Sequence, residues 1–313
     1  MSAPSMQQVK ELRDRTQAGL NDCKGALTES GGDMEKAVEI ILKKGLAKSA
    51  KRAGAVAAEG VVVSKVTADS KRGVIVEVNI QTDFAARNPD FLAFAEKVSE
   101  AALKAKPGSD LGAEAFPGGS ATVEETRAAL VGKLGENITV RRWESLSVDG
   151  PGKVQSYVHM GGKIGVLLAV RAGSDAAAKA PAFEKLADDS AMQIAAMAPL
   201  FLSAAEIPAE SKAAQGEIFK AQLAEDPKAP PAASHPKIIE GKLAKWAKEI
   251  CLLDQPSVLE TDKTVDQIRA AVAKDLGADF VFSRFVRFER GEGISKPTGE
   301  DFAAEVAKTM AGG

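Results

Sequence analysis

Residues Gly73 to Asn88 read GVIVEVNIQTDFAARN, and the fold turns on this stretch. Val74, Val76, Val78 and Ile80 alternate with other residues at period two, and β-branched side chains dominate, which predicts a strand. The strand ends in Gln81-Thr82-Asp83-Phe84, ahead of the helix-start signal Asn88-Pro89-Asp90. An acid followed by a large aromatic therefore sits at a strand-to-helix corner. Aromatics make up only 5% of the chain, so one at a corner is a candidate anchor for a partner's pocket. The competing reading is that Phe84 closes over the core of its own domain, the usual place for such a side chain.

Downstream of the corner, Thr122 to Trp143 (TVEETRAALVGKLGENITVRRW) aligns without gaps to Thr264 to Phe285 (TVDQIRAAVAKDLGADFVFSRF). Each stretch predicts a helix, a Leu-Gly stop and a strand. More loosely, Gly73 to Asn79 with the helix from Phe91 to Lys104 matches Gly162 to Val170 with the helix from Phe183 to Ala196. The expectation is an α+β fold with a duplicated core, each copy a small antiparallel sheet backed by helices.

Upstream, residues 5 to 45 predict three short helices. Val9 and Leu12 share a face of the first, which runs to about Thr16. Gly19 breaks the chain, and Leu20, Cys23, Ala26 and Leu27 give the second its apolar stripe. Asp33 suits an N-cap for the third, which Gly45 is expected to stop. Lys43, Lys44, Lys48, Lys51 and Arg52 then mark a basic, alanine-rich connector, most simply a solvated helical linker. The second copy carries an insertion. Ala209, Ala213, Gly216, Phe219 and Leu223, then Ile239, Leu243, Trp246 and Ile250, form two narrow apolar stripes around a proline-rich turn. They predict a projecting antiparallel helical hairpin. Near the end, Phe302, Val306 and Met310 fall at i, i+4, i+8, a short helix that must dock to be stable.

The 313 residues hold 41 basic and 43 acidic side chains, a formal net charge of −2, so no basic surplus points to direct nucleic-acid binding. Cys23 and Cys251 lie far apart without a CxxC pairing, which suits a reducing compartment. No signal pattern opens the chain and no apolar run approaches membrane-spanning length, so a soluble cytoplasmic protein is expected. His159 and His235, the only histidines, lack ligand spacing, and no metal site is expected. There is no P-loop, no GxGxxG after a strand and no GxSxG elbow. A chain with no convergent catalytic set reads as a binding protein that needs no cofactor, not an enzyme. Two rivals stay open: an adaptor working through the three-helix module, and a cysteine-dependent enzyme built on Cys23 or Cys251.

Several motifs resemble bacterial elongation factor Ts. They are Leu12-Arg13-Asp14-Arg15-Thr16, Ala18-Gly19-Leu20, Asp22-Cys23-Lys24, Asp33-Met34-Glu35-Lys36-Ala37, Ala57-Ala58-Glu59-Gly60 and Glu77-Val78-Asn79 with Gln81-Thr82-Asp83-Phe84. Gly135-Glu136-Asn137-Ile138, Arg287-Phe288 leading to Gly291-Glu292-Gly293-Ile294, and Asp301-Phe302-Ala303-Ala304-Glu305-Val306 complete the set, in one order along nearly the whole chain. The resemblance implies a guanine nucleotide exchange factor for the GTPase elongation factor Tu. It implies an N-terminal module of ubiquitin-associated type, a two-subdomain core, a protruding hairpin and a C-terminal helix. Carried over by motif, Asp83 and Phe84, flanked by Thr82 and Ala85, form a wedge that enters beside the switch region near the magnesium site. Further partner contacts are implied around Leu12, Leu20 and Asn21, and around His159, Met160 and Gly161. Ile80, Ala85 and Asn21 depart from the family's usual residues. The expected division is residues 1–55, 56–150, 151–290 with the hairpin at about 204–252, and 291–313. A homodimer or a 2:2 complex with the GTPase stays open.

Overall fold

The computed structural model describes residues 3–16, 18–226 and 230–295. Three helices come first: α1 (Met6–Thr16), α2 (Leu20–Glu29) and α3 (Met34–Arg52). The first copy then runs β1 (Glu59–Val66), β2 (Arg72–Ile80), α4 (Asp83–Ala86), α5 (Pro89–Lys104), α6 (Val123–Leu134) and β3 (Ile138–Ser147). The second runs β4 (Gly152–His159), β5 (Ile164–Ala172), α7 (Asp175–Ala178) and α8 (Pro181–Met197). After two inserted helices, α9 (Ala209–Glu225) and α10 (His235–Ile250), it resumes with α11 (Val265–Leu276) and β6 (Phe280–Glu289).

The strands form two antiparallel sheets, β1-β2-β3 and β4-β5-β6, with β2 and β5 central. On the outer face of the first, Val74, Val76, Val78 and Ile80 pack against Phe91, Phe94 and Val98 of α5 and Leu130 of α6. On the outer face of the second, Val166, Leu168 and Val170 pack against Phe183, Leu186 and Ile194 of α8. The inner faces meet each other through Val62, Ile75, Val154, Leu167, Val286 and Phe288. The period-two reading of β2 therefore described half of its environment. Ile75, Glu77 and Asn79, on the other face, are also buried, because a second sheet replaces the solvent there.

The duplication extends to individual bonds. Thr122 and Thr264 each close a capping box on the helix they start, with Glu125 and Gln267 as the reciprocal partners. Gly135 and Gly277 end those helices in the left-handed conformation. Arg127 and Arg269 each donate to a carbonyl eleven residues on, Ile138 and Phe280, at 2.6 Å in both. The first half of each copy superposes at an offset of 92, since the bulge after Glu77 recurs after Ala169. Gly73 is thus matched by Gly165, not by Gly162 as expected from the looser alignment. The second half repeats at an offset of 142 (Thr122 to Thr264), so the second copy carries 50 extra residues, which hold α9 and α10. Those helices pack on each other, with Gly216 beside Leu243, Phe219 under the Lys242 ammonium and Leu223 buried. Ala209 and Ala213, expected on the packing stripe, face solvent, while Ser211 and Gln215 are partly covered.

The stop expected at Gly45 does not occur. α3 continues to Arg52 and crosses α6, and a Cβ on Gly45 would lie 3.2 Å from the Ala129 backbone. The missing side chain permits a close helix crossing here; it does not end the helix. The expected helix through Phe302, Val306 and Met310 lies outside the described residues.

The two sheets are latched by a buried acid. Glu77, fully inaccessible, accepts from Arg142 Nε at 2.6 Å, the Gly291 amide at 2.7 Å, Asn79 Nδ2 at 3.0 Å and Arg141 Nη1 at 3.1 Å. Arg142 also donates to the Glu289 carbonyl and stacks over Phe288. The turn after β6 is thereby fixed against the first sheet. Gly291 (φ +72) is required in it, because a Cβ there would fall 2.3 Å from the Ala58 carbonyl oxygen.

Candidate functional site

β2 delivers the chain to the corner with Ile80 still in the core. Thr82 then caps α4, its Oγ accepting from the Ala85 amide at 3.1 Å. One helical turn follows. It places Ala85 and Ala86 in the first core, so the intervening direction available to Phe84 is outward. Phe84 is 86% exposed, the most exposed large apolar side chain among the described residues. The reading in which its ring covers its own core does not hold. Asp83 is also exposed, and its 3.4 Å contact with Arg87 lies in solvent, where such a pair holds little.

The corner is fastened from behind by the turn that follows α6. Both oxygens of the Glu136 carboxylate are used, one accepting from the Thr82 amide (3.1 Å) and one from the Thr82 hydroxyl (2.8 Å). The Asn137 amide donates to Gln81 Oε1 at 2.6 Å, and Asn137 Nδ2 donates to the Ala55 carbonyl at 2.8 Å. The corner, the α6–β3 turn and the segment after α3 are therefore joined by hydrogen bonds. Glu136 and Gln81 were not singled out from the sequence as site residues. The available signal was a comparison of copies: Glu136 and Phe84 stand where the second copy has Ala278 and Ala176.

The remaining expected contacts lie on two other elements. Leu20 and Asn21 open α2 and are exposed. Leu12 corrects an expectation: it is fully buried among Val9, Cys23 and Leu27, so it supports the three-helix module from within and offers no surface to a partner. His159 ends β4, and Met160 and Gly161 begin the turn to β5; all three are exposed. The His159 ring lies alongside Tyr157, with Nδ1 3.1 Å from the Tyr157 hydroxyl.

Among the described residues no three His, Cys, Asp or Glu side chains are grouped to hold a metal, and no helix is long and apolar enough to cross a membrane. Cys23 and Cys251 are both buried. Burial pushes both thiols up, Cys251 to about 11 with Asp254 and Glu206 adding to the effect, so neither supplies the thiolate that nucleophilic chemistry needs.

Fold and site together define a duplicated α+β protein that presents one aromatic side chain on a clamped corner. Comparison with known proteins names the family. The family described as Elongation factor TS matches residues 81–292. Proteins called Elongation factor Ts from Clostridium perfringens (47% identical, covering 96% of this chain and 97% of theirs) and Clostridium botulinum (46%, 98% and 99%) are similar over almost their whole length. So is that from a Nitratiruptor species, at 46% identity with 98% and 99% covered. The chain belongs to the elongation factor Ts family, and its role lies in translation elongation.

Proposed function

We propose that this protein promotes GDP release from elongation factor Tu, by setting Phe84 and Asp83 against the GTPase beside its switch region and magnesium site. The observation that carries the reading is the outward, solvent-exposed Phe84 on a corner tied down by Glu136 and Asn137. An aromatic held rigidly in water gains its burial only against a partner. Thr82 and Ala85 shape the turn that presents it. Leu20 and Asn21 on the three-helix module, taken as being of ubiquitin-associated type, and His159, Met160 and Gly161 on the second subdomain supply flanking contacts. The division at residues 55, 150 and 290, with a protruding α9–α10 hairpin, belongs to the same reading. The protein acts by binding, in the cytoplasm, without a cofactor of its own, and the nearly balanced charge supports a protein partner over nucleic acid.

Exchange by this route is a linkage effect. A protein that binds the nucleotide-free GTPase more tightly than the GDP form weakens GDP by the same factor. A ten-thousand-fold effect requires about 5.5 kcal/mol of differential binding. Burying one Phe contributes roughly 1.5–3 kcal/mol, so the flanking surfaces must hold the rest. Release of fluorescently labelled GDP from elongation factor Tu, with and without this protein, tests the proposal. The rate should climb with protein concentration to a plateau. A rate that never changes contradicts exchange and favours an adaptor.

A further inference from the structure

We infer that Glu136 is a positioning residue for the exchange reaction: its carboxylate holds the Phe84 corner in one orientation, a task separate from building the corner. The inference rests on the exchange reading above, and its argument comes from the protein's own internal duplicate. In the second copy the same four-residue turn forms at α7, 92 residues on, with Ser174 Oγ accepting from the Ala177 amide at 3.2 Å. In the first copy Thr82 does the same with Ala85 at 3.1 Å. The turn therefore forms without a carboxylate at the Glu136 position: in the second copy the cap is backed only by the Gly173 amide donating to the Asp279 carbonyl at 2.8 Å. What differs is the load and the clamp. The second copy has Ala176 where the first has Phe84, and Ala278 where the first has Glu136. Aromatic and carboxylate occur together in one copy and are absent together from the other.

The geometry says what the clamp adds. Glu136 takes the amide and the hydroxyl of Thr82 on its two oxygens, at 3.1 and 2.8 Å, so the residue that caps α4 is gripped at two points. The hydroxyl is used twice, donating to Glu136 and accepting from Ala85, which fixes the Thr82 rotamer as well as its backbone. Hydrogen bonds to an ionised acceptor are shorter and stronger than neutral ones. Glu136 itself is held at the left-handed Gly135 end of α6, next to Asn137, which is tied to Gln81. The carboxylate therefore connects a packed helix to a surface turn whose exposed ring makes no core contact of its own. Small displacements of a group that must enter a partner's pocket cost rate steeply.

A double-mutant cycle on saturated exchange separates placement of Phe84 from any independent role. GDP release from elongation factor Tu is measured at plateau concentrations of wild type, Glu136→Ala, Phe84→Ala and the double variant. With Phe84 present, Glu136→Ala should slow release roughly tenfold, the scale of one hydrogen bond to a charged group. In the Phe84→Ala background the same substitution should change the rate by less than about twofold, because the group it positions is gone. Glu136→Gln, which keeps an acceptor for the Thr82 amide, should recover part of the loss, and thermal unfolding verifies that each variant is folded. Equal losses in both backgrounds, or no loss with Phe84 present, would overturn the inference while leaving the exchange reading intact. Wild-type release by Phe84→Ala alone would instead remove the Phe84 mechanism from the exchange reading, and the inference with it, while a rate unchanged by the wild-type protein would remove exchange itself.

Discussion

Replacing Glu77 by glutamine changes one oxygen to an amide nitrogen at the buried junction of the two sheets. The carboxylate accepts from four groups, two of them the guanidinium groups of Arg141 and Arg142, whose side chains are 26% and 30% exposed. Glutamine keeps the shape but directs an N–H₂ at a site lined by donors, leaves Arg141 without a counter-charge and leaves Arg142 with only the exposed Glu292 carboxylate at 3.2 Å. Breaking a buried pair in this way costs about 3–5 kcal/mol. Burial by itself raises the Glu77 pKa, but the Gly291 amide, Asn79 and Arg142 outweigh it and hold the carboxyl below the usual carboxylate range. A depressed folded value contributes stability above the unfolded pKa of about 4.3, and that contribution fades as pH falls through and below it. Urea denaturation followed by circular dichroism at pH 7 and at about pH 4 reads both effects. Glu77→Gln should lose several kcal/mol at pH 7, and its stability should fall less than wild type's on acidification. A loss under about 1 kcal/mol at pH 7 would refute the latch.

Other consequences are open to direct measurement. Gly45→Val places a branched side chain where even a Cβ lies 3.2 Å from the α6 backbone, so stability should drop by about 1–3 kcal/mol or more and proteolysis near residues 53–58 should accelerate. Cys23 and Cys251 should resist iodoacetamide at pH 8 in the folded protein and both react once it is unfolded, since each is buried with its pKa raised. Leu12→Ala should destabilise the three-helix module by about 2–5 kcal/mol through the cavity it leaves, seen as an early step in thermal unfolding.

Much of this architecture is legible in the chain. The β-branched run from Val74 to Ile80 marks the strand, and the Thr-Val start with its Glu125 or Gln267 partner marks both halves of the duplication through capping chemistry. What escaped reading depends on long-range packing. Gly45 carries the same local signal whether it ends a helix or lets two helices touch, and only the approach of Ala129 decides. Leu12 and Leu20 are both apolar residues on short helices, yet one fills the module's centre and the other its surface. The direction of Phe84 could not be taken from its position at a corner. It follows from Ala85 and Ala86, whose burial in one helical turn sends the ring the other way. Glu77 reads as an interruption of an apolar strand until Arg141, Arg142 and Gly291, distant in sequence, converge on it. Glu136 carries meaning only beside Ala278, its counterpart in the second copy.

Phe84→Ala separates function from folding most directly. The ring is 86% exposed, so its loss should leave thermal stability within about 0.5 kcal/mol of wild type. At saturating concentration the variant should release GDP from elongation factor Tu about ten- to a hundredfold more slowly than wild type, the rate equivalent of one buried Phe. Unchanged release by a stably folded Phe84→Ala protein would contradict the account.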